Sequence, residues 1–151
     1  VTTAELNALS YRIIGAACAV HTELGPGLLE GVYQACLMQE LIDRGLRVEV
    51  QVPLPVVYKG TKVTDVGYRI DILVQGEILL GLKSVEAIAP VHRAQLLSYL
   101  RLSGKRLGLL INFNVERLTD QGISRVIHGW EKKDKEEHRG LGGHTEVHRE
   151  D

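Results

Sequence analysis

The chain of 151 residues is long enough to fold around one hydrophobic core and too short for two comfortable domains. An apolar share of 44%, a charged share of 25% and a net charge of −1 are those of an ordinary soluble protein; they exclude a global basic field for nucleic acid, so any such site must be local. No apolar run approaches the ~20 residues that span a bilayer and none reads as a secretory leader, so a cytoplasmic protein without a membrane partner is expected.

Thr2-Thr3-Ala4-Glu5 has the form of a capping box, and Leu6, Leu9, Ile13, Ala16, Ala17 and Val20 then recur at helical spacing, predicting a first helix to about His21. Gly25-Pro26-Gly27 breaks the chain. A second helix follows, with Leu29, Val32, Tyr33, Cys36, Leu37 and Leu41 on its apolar stripe and Gly45 at its end. Glu30 falls in its first turn, where the helix dipole favours a carboxylate, and Tyr33 shares its face. Cys18 and Cys36 lack metal-ligand spacing and read as small buried hydrophobes in a reducing compartment.

Val48, Val50 and Val52 alternate with Arg47, Glu49 and Gln51, the period of a half-exposed strand. Pro53 and Pro55 bracket a break, after which Val56 to Lys59 and Lys62 to Val66 flank Gly60-Thr61 as a short hairpin. A second hairpin, Tyr68 to Lys83, turns at Gln75-Gly76 and carries charge on apolar strands. It places Asp71 and Lys83 on neighbouring strands, with Gly81 on the face of Lys83. Two carboxylates at such spacing hold a hard divalent cation, and a lysine beside them orients water or steadies a phosphate. The acid position two before Lys83 is, however, a glycine.

Pro90 opens a third helix in which Ala94, Leu96, Leu97, Tyr99 and Leu100 form an amphipathic pattern closed by Gly104; Gln95 and Tyr99 lie one turn apart. The run Leu107 to Phe113 reads as a strand covered on both sides, and Asp120 to His128 as a last short helix. The result is an α/β (α+β) domain over residues 1–130, a central mixed sheet flanked by helices in αβββαβ order. Residues 131–151 turn abruptly to charge and glycine and read as a solvated tail; the scattered His138, His144 and His148 belong to it rather than to a metal site. Contact with another copy of the chain through this tail is the expected use of such a segment.

Several stretches in order resemble one known family: His21-Thr-Glu-Leu-Gly-Pro-Gly27, Gly27-Leu-Leu-Glu30-Gly-Val-Tyr33, Gln51-Val-Pro, Tyr58-Lys-Gly60, Tyr68-Arg-Ile-Asp71, Pro90-Val-His-Arg-Ala-Gln95-Leu-Leu-Ser-Tyr99 and Gly108-Leu-Leu-Ile-Asn-Phe113. They are similar to the GxxExxY proteins, grouped with the PD-(D/E)XK nuclease-like superfamily, over roughly residues 10–128. The resemblance implies a restriction-endonuclease-like core, a nucleic-acid partner and Mg²⁺ or Mn²⁺ as cofactor. It implies Asp71 and Glu30 as metal ligands, Lys83 as the motif lysine, and Gln95 with Tyr99 as the helix residues that support the site. Gly81 stands where these proteins usually carry glutamate. Glu77, about 13 Å along the strand, is too far to replace it, and Glu86 reaches only if its loop folds back. A degenerate metal site with weak or no phosphodiester hydrolysis is therefore expected. The alternatives are a non-catalytic nucleic-acid-binding module using Arg69, Lys83, Arg101, Lys105 and Arg106, or a self-assembling scaffold built on the nuclease fold.

Overall fold

A computed structural model describes residues 1–64, 68–130 and 147–149. Helix α1, Thr3–Leu24, begins where the capping box closes: the Thr2 hydroxyl accepts the Glu5 amide at 3.0 Å, and the Glu5 carboxylate accepts the Thr2 amide at 2.8 Å. Gly25 and Gly27 turn the chain at positive φ, 70° and 98°, into helix α2, Glu30–Asp43. Leu29 and Val32, expected on the apolar stripe of α2, are exposed, because the helix meets the core through Tyr33, Leu37 and Leu41.

Strand β1, Val48–Pro53, leads into a separate hairpin of β2, Val56–Tyr58, and β3, Thr61–Thr64. Its turn falls on Lys59-Gly60, with φ 51° and 78°, one residue earlier than the sequence pattern places it. Residues 65 and 66 of that expected hairpin lie outside the described residues. Strands β4, Arg69–Val74, and β5, Ile78–Lys83, follow; helix α3, Pro90–Ser103, then crosses to β6, Leu107–Asn112.

The segment Asp120 to His128 is a correction to the sequence reading. Leu118–Gly122 forms a five-residue π turn and Ile123–Ile127 is a strand, β7, antiparallel to β6. Ile123, Val126 and Ile127 have a helix-like spacing, but β-branched residues beside an unpaired strand edge gain a ladder of hydrogen bonds by extending.

The central sheet is mixed, with five strands in the order β1-β4-β5-β6-β7; only β5 and β6 run parallel among these, joined by α3. A short strand, β8, Val147–Arg149, runs parallel along the outer edge of β7. Of the expected tail, residues 131–146 and 150–151, with His138 and His144, lie outside the described residues, as does the side chain of His148.

Strand alternation divides the core into two layers. Ile72, Val74, Ile78, Leu80, Leu109 and Ile111 pack against α1 and α2, with the free Cys18 and Cys36 partly buried beside them. Leu79, Leu110 and Val126 lie on the other side under Leu96, Leu97 and Leu100 of α3. Every residue of β6 is buried, as its unbroken apolar run requires of a strand covered on both faces. Among the described residues no helix is long and apolar enough to cross a membrane.

Candidate active site

The β4–β5 ladder runs from Val74 opposite Ile78 to Ile72 opposite Leu80. One step further the Leu82 amide donates to the Asp71 carboxylate, Oδ2, at 2.8 Å. The side chain of Asp71 thus takes up a strand amide at the point where a cleft of about 160 Å³ opens between the sheet and α3.

All five expected residues line this cleft: Glu30 from the first turn of α2, Asp71 from β4, Lys83 from the end of β5, and Gln95 and Tyr99 from one side of α3. Gly81 lies on its floor with Leu110 and Leu96. A Cβ built at Gly81 would stand 3.4 Å from Leu110 and 3.9 Å from Leu96, ordinary contact distances, so the backbone has room for a side chain there. Glu77 and Glu86 do not line the cleft.

Glu30 is held by a chain of bonds around the loop before it. The Tyr33 ring is fully buried and stacks on Phe113, centroids 4.4 Å apart and planes 6° from parallel. Its hydroxyl donates to the Gly25 carbonyl at 2.6 Å and accepts the Leu28 amide at 3.2 Å. The Ser84 hydroxyl, just beyond Lys83, donates to the Leu28 carbonyl at 2.5 Å. The signature tyrosine therefore fixes the Gly-Pro-Gly loop, and Ser84 ties that loop to the strand end carrying the lysine. On the other side of Ser84, the Asn112 side chain brackets Val85, accepting its amide at 3.1 Å and donating to its carbonyl at 3.0 Å.

Burial raises the proton affinity of Asp71 above the ordinary carboxylate range; the Leu82 amide and Lys83 oppose the shift, Glu30 adds to it, and a hydrogen bond from Gln51 weakly opposes it. Burial, then Asp71 and then Tyr68, raise the Tyr99 phenol, so Tyr99 stays protonated at neutral pH and is a hydrogen-bond donor. Tyr68 flanks it with ring centroids 5.7 Å apart.

Sequence reasoning gave no role to two residues found here, His92 and Gln51, and left a third, Arg69, outside the cleft set. Arg69, expected as a basic residue of the alternative nucleic-acid-binding module, lines the cleft, as does His92. Gln51 hydrogen-bonds Asp71 and donates to Gln34 Oε1 at 2.7 Å from a backbone at φ 50°, a left-handed conformation rare in a strand. The run Gln51-Val-Pro was the available signal for it. Arg101, Lys105 and Arg106 do not line the cleft. Arg106 is engaged elsewhere, donating to Val1 O and Thr3 Oγ1 and lying 5.6 Å from the Trp130 ring centroid.

The residues fit a resident divalent cation poorly. Glu30 and Asp71 are the carboxylates lining the cleft, and one Asp71 oxygen is tied to a backbone amide. Among the described residues no three of His, Cys, Asp or Glu gather as a metal-holding group. A hard cation wants several oxygen ligands, and Gly81 on the cleft floor lends no side-chain oxygen. What the cleft does present is a pair of carboxylates facing Lys83, Arg69 and the uncharged donors of α3.

Comparison with curated proteins and with solved structures returns no match. A family model, that of the PD-(D/E)XK nuclease superfamily, matches residues 7–126, from within α1 to within β7. The mixed sheet, the flanking helices and this match over most of the chain lead to one conclusion: the chain belongs to the PD-(D/E)XK nuclease superfamily.

Proposed function

We propose that this chain is a nuclease-like protein of the GxxExxY type whose cleft takes a nucleic-acid phosphodiester and hydrolyses it weakly or not at all. One observation carries the reading: Asp71, Lys83, Glu30, Gln95 and Tyr99 converge on one cleft whose floor is Gly81. Lys83 and Arg69 offer positive charge to the phosphate, Gln95 and Tyr99 offer neutral donors, and Asp71 and Glu30 orient an attacking water. In the family chemistry Mg²⁺ or Mn²⁺ polarises the phosphoryl oxygen and acidifies that water. Here a missing ligand weakens the hold on the ion, which argues for slow turnover.

The test compares the native chain with Gly81→Glu on single- and double-stranded DNA and RNA, with Mg²⁺ and with Mn²⁺. Native cleavage is expected near background, and Gly81→Glu is expected to raise it at least about tenfold, the scale of restoring an interaction made in the transition state. Asp71→Ala in the Gly81→Glu background should abolish the gain. Robust cleavage by the native chain that vanishes in Asp71→Ala would overturn the degenerate-site reading. A second reading, binding without cleavage, is favoured by Arg69 within the cleft and the partly exposed Tyr68 ring at its rim. It predicts nucleic-acid affinity that survives EDTA.

A further inference from the structure

Helix α3 opens Pro90-Val91-His92, which puts a histidine at the third helical position. Glutamate or glutamine there usually reaches back to the amide before the helix. His92 does so with its ring: Nδ1 accepts the Ala89 amide at 3.0 Å. A ring nitrogen that accepts an N–H has its lone pair engaged and carries no proton, so the proton of the neutral imidazole is on Nε2. The cap selects one tautomer. The same ring lines the cleft, in a column with Gln95 and Tyr99 along α3, and Nε2 has no hydrogen-bond partner among the described residues.

We propose that His92 is a phosphate-recognition residue of this cleft, binding a non-bridging oxygen of a nucleic-acid strand as a neutral donor through Nε2–H. The inference rests on the cleft being a phosphodiester site and adds a residue to it. Other roles common for histidine conflict with the cap. A metal ligand or a general base needs a lone pair on Nε2, which the capped tautomer has used to hold its proton. A general acid needs the imidazolium, whose second proton on Nδ1 would point at the Ala89 N–H. Either change sacrifices the bond that holds the Ala89 amide at the helix start. An uncharged donor also suits its surroundings: it bonds to phosphate without forming an ion pair with Asp71 or Glu30, the carboxylates of the same cleft.

Two measurements on the full chain test this, both in EDTA so that neither depends on catalysis. Nitrogen-15 NMR of the histidine side chains should show His92 protonated on Nε2 and should show that resonance move as a short oligothymidylate is added. In binding titrations with the same oligothymidylate, His92→Ala should lose about tenfold in affinity, the size of one hydrogen bond to a charged group. His92→Gln, whose amide oxygen can keep the cap while its NH₂ donates, should stay within about threefold of the native chain. His92→Glu keeps the cap and removes the donor, so it should bind at least as poorly as His92→Ala. An Nδ1-protonated ring, or native affinity in His92→Ala, overturns the proposal for His92 alone. Absence of oligothymidylate binding by the native chain in EDTA overturns this proposal, and absence of binding with Mg²⁺ present as well overturns the phosphodiester reading of the cleft.

Discussion

A carboxyl group that burial makes harder to ionise weakens a fold whenever it is charged, and Asp71 is such a group. Its folded-state pKa lies above the ordinary 3.8, so the folded chain binds this proton more tightly than the unfolded chain does. The penalty is absent below 3.8, grows as pH rises through the raised value, and is complete above it. Asp71→Asn keeps an oxygen for the Leu82 amide and removes the charge. It should melt above the native chain at neutral pH, and that advantage should shrink away as pH falls below 3.8, in thermal scans run in EDTA. A lower melting temperature for Asp71→Asn at neutral pH would mean that attraction to Lys83 outweighs burial. The acid itself was legible in the sequence, because a charge flanked by Ile70 and Ile72 in a strand that turns at Gln75-Gly76 is conspicuous. Gln51 and His92 were not. Gln51 takes a left-handed backbone within a strand, and the role of His92 depends on which ring nitrogen meets Ala89, neither of which a string of letters records.

The start of α2 shows how an element turns a signature into geometry. Glycine, glutamate and tyrosine at that spacing give a loop that bends, an acid at the first turn, and a ring whose hydroxyl grips the loop. Tyr33→Phe should keep the stack on Phe113 but leave the Gly25 carbonyl and the Leu28 amide without this partner, costing about 1–3 kcal/mol in denaturant unfolding. Because that loop also carries Glu30, oligonucleotide affinity should fall beyond what the lost stability explains; unchanged affinity would free Tyr33 of any positioning role. The helices and the β4–β5 hairpin were legible because caps, breakers and apolar periodicity all agreed. Strand β7 was not, since Ile123, Val126 and Ile127 satisfy a helical period as well as an extended one over so short a span. What decided it was the neighbouring edge of β6, a fact of tertiary structure.

At the scale of the whole molecule, β6 is the axis: it pairs with β5 on one side and β7 on the other, and helices cover both faces. The described part of the tail adds only the three-residue β8 at the sheet's rim. We propose that residues 131–151 are an appendage to a domain of residues 1–130, so deleting them should leave the melting temperature nearly unchanged. A fall of about 8 °C or more, on the order of 2 kcal/mol for a domain this size, would make the tail part of the domain. Sedimentation of both forms would show whether the tail joins copies of the chain. Two glycines meanwhile lie beneath Leu96, and only one of them is crowded by it. A Cβ at Gly108 would stand 3.0 Å from the Leu96 side chain, which would have to give by a few tenths of an ångström, whereas Gly81 has room for one. Glutamate at position 81 would bring electrostatic repulsion beside Asp71, a repulsion that a bound cation relieves. Some glycine codons lie a single base from a glutamate codon. On the function proposed above, a lineage carrying this fold would cross between a quiet and an armed cleft in one mutational step, at a position whose backbone has room for a side chain.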